Sequence, residues 1–87
     1  MRDIERIIAT FKAEYPSVMV QQLKVSHPGA DDDGLWFFRK SDSGLEVQIE
    51  SSAGMCPFLI ETDEDNTRLT TATVDETIKT VARLLRL

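Results

Sequence analysis

Cys56 and His27 are the single cysteine and single histidine of the chain, and the only residues that could supply a thiol nucleophile and its base. Neither has the company that such chemistry needs. Pro57 follows Cys56 and carries no amide N–H, so the turn loses a donor for a developing oxyanion. A lone cysteine just before a strand is more readily a small buried hydrophobe. Ser51 to Gly54, SSAG, lacks the glycine that precedes the serine of a nucleophile elbow, so it reads as a turn whose hydroxyls satisfy backbone groups.

The acids offer two further chemistries. Asp31, Asp32 and Asp33 before Gly34 suggest a cation loop, but an EF-hand type site needs oxygen ligands at alternate positions. Counting from Asp31 puts Leu35 at the fifth, and counting from Gly29 or Ala30 removes the first ligand. His27 adds one nitrogen, short of a zinc set. The stretch reads as a solvated acidic turn, and neither metal nor other cofactor is expected. Glu46 and Glu50 stand four residues apart on one strand, ~13 Å by the strand rise. A hydrolytic carboxylate pair needs about 5–9.5 Å and a cleft between its members. Glu61 comes closer across strands, yet a flat sheet face supplies no cleft. No glycine-rich phosphate loop occurs. The residue types point away from an enzyme.

The elements that position these residues follow from composition and periodicity. The 87 residues suit one domain, and 41% apolar with 29% charged residues is the balance of a globular chain. No apolar run approaches the ~18 residues of a membrane span. The first residues mix acids and bases among their apolar positions, unlike a secretory signal, and one cysteine permits no internal disulfide; a cytoplasmic protein with no membrane partner is expected. Charge is unevenly placed. Ala30 to Asp65 carry ten acids against Arg39 and Lys40, within a chain of net charge −5. No basic stripe is present to neutralise phosphates, so nucleic acid is not an expected partner.

Ile4, Ile7, Ile8, Phe11 and Tyr15 recur at helical spacing over residues 3–14, and Tyr15-Pro16 ends that helix. Strands are predicted at Val18 to Val25, Leu35 to Lys40, Leu45 to Ser51 and Phe58 to Thr62, with a Pro-, Gly- and Asp-rich loop from Ser26 to Gly34. Thr73 and Glu76 match a capping box that opens a last helix, with Val74, Ile78, Val81 and Leu85 as its apolar stripe. The order α-β-β-β-β-α, with short connections, predicts an α+β two-layer sandwich: an antiparallel meander with both helices on one face.

Ser41-Asp42-Ser43-Gly44 joins the second and third strands. A type I turn with Gly44 as a left-handed bulge residue sets Lys40 against Glu46, Phe38 against Gln48 and Trp36 against Glu50. A two-residue loop at Asp42-Ser43 would shift the pairing by one and reverse the facing. The bulged register places Leu35, Phe37, Leu45, Val47 and Ile49 under the helices. Trp36 and Phe38 then lie on the outer sheet face among Glu46, Gln48, Glu50 and Glu61. Aromatic residues inside an acidic rim suit a protein partner, a basic one by charge. The expected function is therefore non-covalent protein binding through that face, as an inhibitor, immunity-type or chaperone-like module. A homodimer through the same face is the alternative, and a small enzyme or ligand-binding domain is a more distant one.

Overall fold

Asp3–Glu14 form α1 because Ile4, Ile7 and Phe11 fall on one stripe and are fully buried, while Glu5, Arg6, Lys12 and Glu14 take the solvent side. At its start Glu5 reaches back: its carboxylate accepts from the Arg2 amide (3.4 Å) and from Arg2 Nε (2.9 Å). The computed structural model describes residues 2–22, 34–51, 53–62 and 68–87. Within them β1 (Val18–Gln22), β2 (Leu35–Lys40), β3 (Glu46–Glu50), β4 (Phe58–Thr62) and β5 (Arg68–Thr71) precede α2 (Val74–Leu84). The strands pair with their sequence neighbours, antiparallel throughout, in the order β1-β2-β3-β4-β5. The α+β architecture with an antiparallel meander is thus as expected, with one strand more. Arg68–Thr71 adds the fifth, opposite Phe58 to Glu61.

Both helices cover one sheet face. Ile4, Ile7 and Phe11 of α1 and Val81 and Leu85 at the end of α2 join Val18, Trp36, Phe38, Val47, Ile49, Phe58 and Ile60 in a single apolar cluster. Phe38 meets Phe11 edge-on, with ring centroids 5.2 Å apart, and Phe11 lies 5.4 Å from Tyr15. Among the described residues no helix is long and apolar enough to cross a membrane.

The hairpin register differs from the expected one. Gly44 does adopt a left-handed conformation (φ 72°), but its N–H donates to Lys40 C=O (3.1 Å) and Lys40 N–H to Leu45 C=O (2.9 Å). The turn is therefore one residue longer than expected: Lys40, not Ser41, is the residue that both Gly44 and Leu45 bond. Arg39 now faces Glu46, Phe38 faces Val47 and Trp36 faces Ile49. One step of slip turns every side chain of β2 over. Trp36 and Phe38 are 3% and 0% exposed beneath the helices, and Leu35 and Phe37 take the outer face. The larger pair goes inside because burying an indole and a phenyl ring removes more apolar surface from water than burying leucine and phenylalanine.

The end of the chain shows how polar groups were accommodated. Thr73 Oγ1 accepts from the Glu76 amide (3.1 Å), as a capping residue should. The Glu76 carboxylate passes over Thr73 and accepts from the Ala72 amide instead (2.7 Å). Thr77, fully buried on the inner stripe, donates its hydroxyl to Thr73 C=O (2.7 Å). Having spent its proton there, it accepts from Thr71 Oγ1 at 2.6 Å, which joins α2 to β5. Thr77→Val strands the buried Thr71 hydroxyl and should cost about 1–3 kcal/mol. The Thr71→Val/Thr77→Val double variant should cost less than the single one, as read from urea midpoints.

Candidate functional site

The face opposite the helices is built from alternate residues of all five strands. Its rows follow from the register. Met19, Arg39 and Glu46 make one, and Gln21, Phe37, Gln48, Glu61 and Arg68 the next. Leu35, Glu50, Leu59 and Thr70 make the third. Four of the predicted contact residues, Glu46, Gln48, Glu50 and Glu61, thus share this face, all half-buried. Trp36 and Phe38 are corrected: they belong to the core and offer a partner nothing. Their places as apolar members are taken by Met19 (61% exposed) and by half-buried Leu35, Phe37 and Leu59. The signal for this exchange was the larger size of the Trp36–Phe38 pair. Met19, Phe37, Gln21, Val20, Arg39 and Glu46 line a shallow cavity of about 250 Å³ near the β1 edge. Arg39 Nε stands 3.7 Å from the Glu46 carboxylate across it.

Glu50 and Glu61 are diagonal neighbours, since Glu50 faces Leu59 while Glu61 faces Gln48. Loss of hydration pushes the Glu50 carboxyl above its usual pKa, and a side-chain hydrogen bond and the like charge of Glu61 push the same way; Arg68 opposes them. The Glu50 carboxyl therefore holds its proton more readily than a free glutamate does. A folded-state pKa above the unfolded 4.5 makes the native protein bind the extra proton, so stability falls as pH rises from 4.5 through the folded value. Glu50→Gln should remove that loss: the variant is more stable than the parent at pH 7, and the difference closes below pH 4.5 in denaturation curves.

Cys56 lies elsewhere, half-buried where the 51–57 connection meets the start of α1. Its amide donates to the Asp3 carboxylate (3.0 Å), a bond that lowers the Asp3 pKa. Burial, followed by the hydrogen bond and charge of Asp3, pushes the Cys56 thiol up, the wrong direction for a nucleophile. His27, Asp31, Asp32 and Asp33 lie outside the described residues, as does the expected extension of the first strand past Gln22. Among the described residues no three His, Cys, Asp or Glu side chains cluster as metal ligands. The chain matches no family model, no curated protein and no solved structure.

Proposed function

We propose that the chain acts by non-covalent binding of a cationic protein segment across the outer sheet face, as an inhibitor, immunity-type or chaperone-like module does. The observation that carries this reading is the Glu50–Glu61 carboxyl pair, held together on the face that the helices leave bare. A guanidinium set between the two carboxylates donates to both and relieves the repulsion that helps raise the Glu50 pKa. Half-buried Phe37, in the row of Gln48 and Glu61, offers such a side chain its ring face, and Leu35 and Leu59 offer the aliphatic stem apolar contact. The net charge of −5 steers a basic partner towards the molecule over longer range.

The test is calorimetric titration with a synthetic peptide of alternating Arg and Leu. Binding should weaken steeply from low to high salt and release protons near the raised Glu50 pKa, because a bound guanidinium favours the ionised Glu50 carboxylate. Glu50→Gln/Glu61→Gln should lose at least about tenfold in affinity. Absence of binding, or equal binding by the double variant, overturns the reading.

A further inference from the structure

β1 and β5 end the strand order, and they end it differently. Each packs against a helix, β5 against α2 and β1 against α1, but β5 opens on the charged Arg68. β1 reads Val-Met-Val-Gln-Gln: five residues with neither charge nor proline, the devices by which an edge strand usually turns away a second strand. The direction of its backbone groups follows from the bond of Ser41 N–H to Ser17 C=O (3.3 Å). Bonded pairs alternate along an antiparallel ladder, so Met19 and Gln21 turn their N–H and C=O towards β2, while Val18 and Val20 turn theirs outward, the Val18 N–H being taken by Tyr15 C=O (3.0 Å).

We infer that β1 pairs with β1 of a second copy, antiparallel about a twofold axis at Val20, to give a dimer with a continuous ten-stranded sheet. The sequence is self-complementary in this register. The two Val20 residues exchange both backbone bonds, and their half-buried side chains meet on the core side. Met19 of each copy stands opposite Gln21 of the other on the outer face. Met19 is the most exposed large apolar side chain among the described residues, at 61%. The opposing strand brings it against the cavity lined by Gln21 and Phe37, where a flexible thioether can fill the space and touch the ring. Each copy carries a net charge of −5, so copies repel in general, and an uncharged strand is where that repulsion least opposes contact. A five-residue edge buries far less than the ~1,200 Å² of a standard interface, so the dimer is weak and concentration-dependent.

This inference does not rest on the proposed partner, and salt separates the two. Screening weakens capture of a cationic segment but strengthens pairing of like-charged copies. Sedimentation equilibrium of the full chain from about 10 μM to 1 mM should show the mean mass climbing towards twice the monomer mass, and climbing sooner at high salt. M19K/Q21K sets like charges opposite each other and should pair at least tenfold more weakly than M19K/Q21E, which sets opposite charges together. V20P removes the outward N–H without touching the β2 ladder and should be monomeric; if it fails to fold, the two charge variants still decide. Leu59→Lys, three strands away on the outer face, should dimerise like the parent. A parent monomeric throughout, equal pairing by the two charge variants, or loss of the dimer in Leu59→Lys overturns the inference.

Discussion

Phe38→Ala should lower stability by about 3–5 kcal/mol, while Phe37→Ala next to it should cost about 1 kcal/mol. Phe38 has no exposure, packs T-shaped against Phe11 with ring centroids 5.2 Å apart, and lies across from Val47 in the middle of the sheet. Its removal leaves a cavity beneath Phe11 of α1 and between Val20 and Val47 of the neighbouring strands, which cannot close without disturbing them. A domain of this length has only about 5–15 kcal/mol in total, so the variant stands near the edge of unfolding. Phe37 points the other way and keeps part of its ring in water, so truncation forfeits only part of a transfer energy. Urea midpoints of the two variants check this directly. A larger loss from Phe37→Ala would restore the bulged hairpin register. Trp36 gives an independent reading, since 3% exposure requires blue-shifted emission even at concentrations where the chain is monomeric.

Gly54→Ala should cost about 2–4 kcal/mol, against about 1 kcal/mol for Gly44→Ala. The two glycines have nearly the same backbone, φ 70° and 72°, so the penalty for placing an L side chain in the left-handed region is common to both. They differ in surroundings. A Cβ at Gly44 would meet nothing within 4 Å, whereas one at Gly54 would stand 2.9 Å from Ile4 Cγ2. That methyl belongs to a β-branched side chain buried in the core, and it cannot swing aside. Gly54 also accepts the Ile4 amide (2.9 Å), while the Met55 thioether sulfur accepts the Asp3 amide (3.4 Å) and the Asp3 carboxylate takes the Cys56 amide. The connection between β3 and β4 thus satisfies two of the free amides at the start of α1, and it can do so only at close approach. Thermal or urea unfolding of the two alanine variants isolates the steric part as their difference.

Much of the architecture was legible in the chain because it rests on local chemistry. The span 3–14 is marked by isoleucines and a phenylalanine at helical spacing and closed by Tyr15-Pro16, and Thr73 with Glu76 announces α2. Leu35–Lys40 and Phe58–Thr62 are dense in apolar and aromatic residues, and their bounds agree with the structure. Arg68–Thr71 escaped notice because four mostly polar residues carry no strand pattern of their own; β4 on one side and α2 on the other make it a strand.

What only the tertiary structure decided is the side on which the aromatic residues of β2 lie. Leu35, Trp36, Phe37 and Phe38 are apolar without a break, so alternation, the usual guide to facing, is silent over those four positions. The choice passed to the turn, where a glycine in the left-handed region fits the shorter and the longer turn equally well and the two differ by one step. Packing resolved it, since Phe11 and the inward row of Val47, Ile49, Phe58 and Ile60 reward the larger rings. That Glu46 and Glu50 share one face could be read from β3, because Glu46, Gln48 and Glu50 alternate there with Val47 and Ile49. The facing of their neighbours Leu35 and Phe37 could not, because facing in β2 is a property of the assembled sheet and not of the strand.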